Sequence, residues 1–372
     1  MQTAIPCLFM RGGTSRGPFF LEADLPSDLE SRDRVLLAAL GSPDRRQIDG
    51  LGGANPLTSK VGIVRRSAEP GVDLDFLFAQ VMVEEARVDT TPNCGNMLAA
   101  VVPFAIEVGL VPPKGDTTTL RVLTRNTGMR CDVTVQTPGG RVEYEGNARI
   151  DGVPGTAAPI AIDFLDTAGS VCSGLLPTGH ARDRIQVEGE GFETFSLDVT
   201  CIDNGMPLVM MRASDLNRTG YESVTELNAD AALKGRLEAL RLSASLLMGL
   251  GDVSSKTYPK MCLVAPPKAG GSISTRCFIP HVCHDAIGVL AAVTVGTACV
   301  LDGSVTEGLA QVPAGDVKPI SVEHPSGEFT VELGIDPADP QHVTRAALVR
   351  TARLLMRGEV MVPSVVLTRE VS

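Results

Sequence analysis

With 372 residues, 44% of them hydrophobic and 21% charged, the chain exceeds what one hydrophobic core usually organises and has enough apolar surface for about two globular domains. A formal net charge of −11, 4% aromatic residues and no tryptophan exclude a basic, base-stacking nucleic-acid surface, so an anionic small ligand must be held by local donors against the overall field. Nine cysteines, an odd number without a CxxC pair, fit a reducing compartment; with no segment that reads as a signal peptide or a membrane span, the cytoplasm is the expected location.

The first element, IPCLFM, reads as a strand that runs into RGGTSRG at 11–17. Gly12, the Thr14 and Ser15 hydroxyls and Arg16 can cradle an anion there. An ordinary hairpin turn fits as well, since the stretch is neither a Walker A loop nor a dinucleotide fingerprint. A second glycine-rich loop, LGGANPLTSKVGIV at 51–64, delivers Lys60 to the start of an apolar strand. A lysine in such a place usually snorkels to solvent; facing a cleft, partial desolvation would make it a proton acceptor. After the strand LDFLFAQVMV comes NCGN, then MLAAVVPFAIEVGLV at 97–111, which is apolar nearly all round and predicts a helix buried on every side. Cys94 stands at its start between Asn93 and Gly95. The unpaired amides of Gly95 and Asn96, with the helix dipole, would stabilise a thiolate or a substrate carboxylate. The competing reading is a small, inert, buried thiol; the adjacent glycine, which lets a ligand approach the backbone, favours a site. TLRVLT, CDVTVQT and RVEYEG read as the remaining strands of this half.

A turn-rich segment at 151–183 separates the halves, giving an N-terminal domain at 1–180 and a C-terminal domain at 181–372. FSLDVTCI, PLVMMRA, KMCLVAP and FTVEL read as strands, and 225–249 reads as a surface helix with leucines at helical spacing. GLGDVSSKTYPK carries Lys256 and Lys260, and FIPHVCHDAIGV carries His281, Cys283 and His284 ahead of a second all-apolar run at 287–301. Cys283 is therefore expected at a helix start like that of Cys94, as in an ancient duplication. Adjacent Cys283 and His284 lack the spacing of a zinc pair, so no metal is expected. The fold class expected is α+β: two similar domains, each a curved, mostly antiparallel sheet wrapped around a central buried helix, with a cleft between them. The terminal RGEVMVPSVVL is compatible with a strand returning to the first domain.

In content and order, MRGGTSRGPFF, IDGLGGANPLTSKVGIV, NCGNMLAAV, PHVCHDAIGV and EHPSG resemble the motifs of the 2-methylaconitate cis-trans isomerase family, which shares the diaminopimelate epimerase fold. The resemblance spans nearly the whole chain. It implies cofactor-independent proton transfer at a carbon flanked by carboxylates. One of the two epimerase cysteines sits in a CGN motif that matches Cys94, Gly95 and Asn96, and the other is carried onto Cys283. The lysine of the family's SK motif, its proposed base, matches Lys60. Where the family commonly has lysine in GGTSKG this chain has Arg16, which keeps the cation for a carboxylate but cannot give up a proton. ARVDTTPNCGN, VTCIDNGMP and GSPDRRQIDGLGGANPLTSK are similar to the branch that tautomerises 4-oxalomesaconate in bacterial gallate breakdown.

Together with the reading of the residues, the resemblance makes Lys60 and Cys94 the catalytic candidates, and Gly12, Thr14, Ser15, Arg16, Asn93, Gly95, Asn96, Lys256, Cys283 and His284 the substrate-binding ones. It implies no cofactor and a small tricarboxylate as partner, with neither nucleic acid nor membrane; a homodimer is compatible. Two alternatives stay open: a cis-trans isomerase of 2-methylaconitate or aconitate, and a carboxylate-binding protein without catalysis, against which the presence of both Lys60 and Cys94 argues.

Overall fold

The computed structural model describes residues 1–165, 167–189, 191–336 and 338–367. The chain divides into two compact units, Met1–Leu165 with Val349–Ser372, and Asp166–Leu348.

The first unit begins with β1 (Gln2–Gly12), β2 (Ser15–Leu21), α1 (Leu29–Leu40), β3 (Lys60–Arg66), β4 (Leu74–Val81) and β5 (Val88–Asp89). Two short helices, α2 (Gly95–Leu98) and α3 (Val101–Glu107), precede β6 (Thr117–Thr124), β7 (Met129–Gln136) and β8 (Ile160–Phe164). Neighbours pair as β1–β2 antiparallel, β2–β3 parallel, β3–β4 antiparallel, β4–β6 parallel, then β6–β7 and β7–β8 antiparallel. β3 and β4 are almost continuously buried rather than alternating because helices cover both faces: α2 and α3 lie against β3, while α1 buries Val35, Leu36, Ala39 and Leu40 against Ile5, Phe20, Val61 and Ala79. The apolar run expected as one helix is two. Pro103 has no N–H to donate back to Ala99, so the helix stops at Leu98 and restarts with Pro103 in the first turn of α3, where that donor is not needed. RVEYEG is not a strand. Glu143 donates to Gln136 O and Tyr144 O accepts from Ala158, but among the described residues no neighbour pairs along its length.

The second unit contains β9 (Asp183–Val187), β10 (Phe195–Asp203), β11 (Pro207–Arg212), α4 (Val224–Ala229), α5 (Ala231–Leu247), β12 (Lys260–Ala265) and β13 (Ile273–Phe278). After these come α6 (Val289–Val300), β14 (Val317–His324), β15 (Gly327–Asp336) and β16 (Asp339–Arg350), of which Val349 and Arg350 fall in the first unit. The pairings repeat those of the first unit: β10–β11 antiparallel, β11–β12 parallel, β12–β13 antiparallel, β13–β14 parallel, β14–β15 and β15–β16 antiparallel. α6, buried from Ala291 to Cys299, packs on β10, β11, β14 and β15, and α5 buries Leu233, Leu237, Leu240 and Ala244 on the opposite side of the sheet from that helix. Each repeat thus has one helix layer between its second and third strands and a buried helix after its fourth long strand, the duplication expected from the two apolar runs.

The strand that follows each repeat pairs with the first strand of the other. β9 lies antiparallel to β10, and Ala352–Pro363 lies antiparallel to β1, from Gln2 opposite Pro363 to Gly12 opposite Ala352. The terminal segment therefore belongs to the first unit. The division falls at Leu165 rather than near 180, because residues 167–180 are tied into the second unit: Gly169 N donates to Asp203 O, and Ser170 Oγ, Val171 N and Cys172 N donate to the fully buried Asp203 carboxylate.

Candidate active site

Lys60 opens β3 and is only 9% exposed. The loop before it is fastened by buried Gln47, whose Oε1 accepts from Ala54 N at 2.8 Å and from Ser59 Oγ at 2.7 Å. Gly17 lets the neighbouring strand come close, since a Cβ there would fall 1.6 Å from Lys60 O. The Lys60 Nζ donates to Gln80 Oε1 at 2.7 Å and sits 4.9 Å from the centroid of the Phe78 ring. Among the described residues no carboxylate pairs with it. The sequence singles out Lys60 but gives no sign of Gln80 or Phe78, which reach it only through the antiparallel register of β3 and β4.

RGGTSRG is a hairpin whose two-residue turn is Gly13–Thr14, with Gly12 opposite Ser15. The turn rests on the start of α2: a Cβ on Gly12 would meet Asn96 O at 2.3 Å, and Asn96 Nδ2 donates to Thr14 Oγ1 at 2.9 Å. The Gly13 amide is committed to Thr351 O. Cys94 is the half-buried N-cap of α2, with no side chain capping the helix, and Leu98 N donates to its carbonyl. Asn93 Nδ2 donates to Thr124 and Thr127 hydroxyls. Two buried polar atoms here have no partner among the described residues, Ser15 Oγ and Asn93 Oδ1. Each can engage a ligand oxygen or hydroxyl, and leaving such an atom unpaired costs about 1–3 kcal/mol. α2 packs on β1, β2 and β3, so the hairpin, the CGN turn and the strand of Lys60 form one neighbourhood. Arg16 is exposed, its guanidinium over the Phe9 ring and near Gly53 of the lysine loop.

The remaining candidates lie in the second unit. Cys283 is not at a helix start. It forms an isolated bridge with Phe278, the place that β5 takes beside β4 in the first repeat, whereas the N-cap of α6 is Gly288. Its side chain is buried in the core formed by α5 and the sheet, and burial, followed by the neighbouring Cys277, pushes the thiol up to about 11. His284 is half-buried, and its Nδ1 accepts from Ala286 N at 2.8 Å. Burial first, then the charge of Lys260, lowers its pKa, so the imidazole is held neutral. Lys256 lies exposed on a turn. Lys260, which opens β12 as Lys60 opens β3, is half-buried beside the α6 N-cap: a Cβ on Gly288 would be 3.6 Å from its Nζ. Desolvation lowers its pKa. The internal repeat makes it the counterpart of Lys60, a relation the two sequence stretches alone do not reveal.

The PrpF protein family model matches residues 2–363. The chain is 54% identical over 361 residues to 4-oxalomesaconate tautomerase of Pseudomonas putida, covering 97% of each chain. It is also 54% identical over 357 residues to (4E)-oxalomesaconate Delta-isomerase of a Novosphingobium species, covering 96% of this chain and 97% of the other. Among solved structures, methylitaconate-delta-isomerase superposes with a TM-score of 0.87 at 34% identity, over 100% of this chain and 98% of that one.

Proposed function

The chain belongs to the PrpF protein family and is an isomerase, and we propose that it acts on 4-oxalomesaconate, with Lys60 as the base. The observation that carries this reading is the Lys60 amine, enclosed in the first unit and held by a neutral amide instead of a carboxylate. A base must spend part of each turnover without its proton, and an adjacent carboxylate would oppose that state.

In the keto form of this substrate a methylene lies between a ketone and an alkene that bears carboxylates. Lys60 takes one methylene proton, and the C–H electron pair spreads over the alkene and carbonyl as a dienolate. Returning a proton to the carbonyl oxygen gives the enol, the tautomerase outcome; returning it to the distal alkene carbon gives the allylic shift. The names of the two relatives correspond to these two outcomes of one intermediate. Ser15 Oγ, the first-turn amides of α2 and Arg16 are suited to hold the carboxylates and the developing oxyanion. Cys94, at the same helix start, serves as proton donor or as a further contact to the substrate.

Ultraviolet assays with 4-oxalomesaconate beside 2-methylaconitate test the substrate, and turnover of only the second would replace this reading with the cis-trans isomerase. In D2O, deuterium at the distal alkene carbon marks the allylic shift, whereas the tautomerase forms the enol with carbon exchange confined to the methylene position. Lys60→Ala is expected to lower exchange by about 10³-fold or more. Full exchange by that variant would remove Lys60 as the base.

A further inference from the structure

We propose that Gln80 is a positioning residue for the reaction, fixing the Lys60 amine while allowing it to alternate between its protonated and neutral forms; the inference rests on Lys60 being the base. Lys60 and Gln80 face each other across antiparallel β3 and β4, and their side chains meet at 2.7 Å. What makes the contact directional is the other end of the amide. Gln80 Nε2 lies 3.0 Å from Ser59 O, 3.1 Å from Pro56 O and 3.4 Å from Val81 O. A flipped amide would set Oε1 against three carbonyl oxygens, so the surrounding backbone fixes the acceptor toward Lys60. Two of those carbonyls belong to the loop that delivers the lysine. The same side chain thus secures the loop and aims the amine.

An amide oxygen accepts a hydrogen bond from an ammonium or from a neutral amine. In the neutral state the N–H on Gln80 leaves the lone pair to point elsewhere, and the Phe78 face limits the amine on another side while attracting its charged form. A carboxylate at the same place would hold the ammonium, and an apolar side chain would leave the amine unanchored. The second repeat shows that the fold itself does not demand glutamine here. Lys260 opens the equivalent strand, yet the residue one place beyond the Met261–Phe278 pair is Ile279, and no hydrogen bond from Lys260 Nζ occurs among the described residues.

The test compares Gln80→Met, Gln80→Glu and Lys60→Ala for kcat, KM, the pH dependence of kcat/KM and thermal unfolding. Gln80→Met should lower kcat by about 10- to 100-fold with KM changed less than about threefold, because the amine is present but no longer oriented. Gln80→Glu should move the acidic limb of the profile to higher pH by about one unit, with activity regained on the alkaline side, because the new charge favours the ammonium. Gln80 variants that keep the parental kcat and limb would overturn the proposal. So would variants whose losses track a lowered melting temperature without any shift of the limb, since the amide would then only brace the loop. Lys60→Ala with full exchange defeats the base assignment itself; an inactive Lys60→Ala beside unaltered Gln80 variants defeats only the positioning role.

Discussion

Cys94 and Cys283 precede similar apolar runs, and the fold gives them different surroundings. Cys94 caps α2 from a half-buried position, next to a glycine and the hairpin turn, whereas Cys283 lies in a core. Of the other seven cysteines only Cys172 is half-buried, and burial, followed by the Asp203 charge, pushes its thiol up to about 12. At about pH 8 a thiol of pKa 11, the value toward which burial drives Cys283, is ionised to only about one part in a thousand. Iodoacetamide should therefore modify one fast-reacting site, recovered by peptide mapping at Cys94 and absent from Cys94→Ser. Faster labelling of Cys172 or Cys283 would contradict this order of reactivity. The place of Cys94 at a helix start was legible because a cap and its flanking glycine are local in the chain. Gln80 was not: in LDFLFAQVMV it reads as one more polar residue at the end of a strand, and its partner is set by cross-strand register.

Among the elements, α1 escaped the sequence reading although its signals were present. Asp28 Oδ1 accepts from Ser31 N at the N-cap, Gly41 closes the helix in the left-handed region at φ 75°, and the buried positions 35, 36, 39 and 40 have helical spacing. The charged opening ESRDR concealed the pattern, since the apolar face occupies only the second half of the helix. Pro103 was likewise visible, but the length of the apolar run outweighed it. The burial pattern gives an ordering of stability effects. Leu36→Ala, at a fully buried site under the sheet, should cost about 2–5 kcal/mol, and Asp28→Ala, which removes only a cap, about 1 kcal/mol. Urea unfolding of both variants measures these losses; equal effects would mean that α1 is held by its cap and not by its packing.

At the scale of the whole molecule, two all-apolar runs were enough to indicate a duplicated α+β chain, because a helix without a polar face needs strands around it. The sequence left the terminal segment compatible with a strand returning to the first domain, but the boundary at Leu165 was not legible, since it depends on hydrogen bonds from residues 169–172 to Asp203. Ala352–Pro363 supplies β1 with a neighbour along all 11 residues of that strand, and it brings Val360 and Val362 into the core with Ile5, Cys7 and Phe20. The second unit has its own equivalent of this strand in β9, which precedes β10 in the chain. Truncation after Arg350 should consequently act on one unit. Hydrogen exchange should show β1 and β2 losing protection, because β1 loses a full ladder of main-chain bonds and its cluster loses two buried valines, while α6, β14 and β15 stay protected. A uniform loss across both units would mean that they unfold as one cooperative body. Unchanged protection of β1 would mean that the terminal strand contributes little to the stability of the unit that holds Lys60, and that the exchange of strands between the repeats is a feature of connectivity alone.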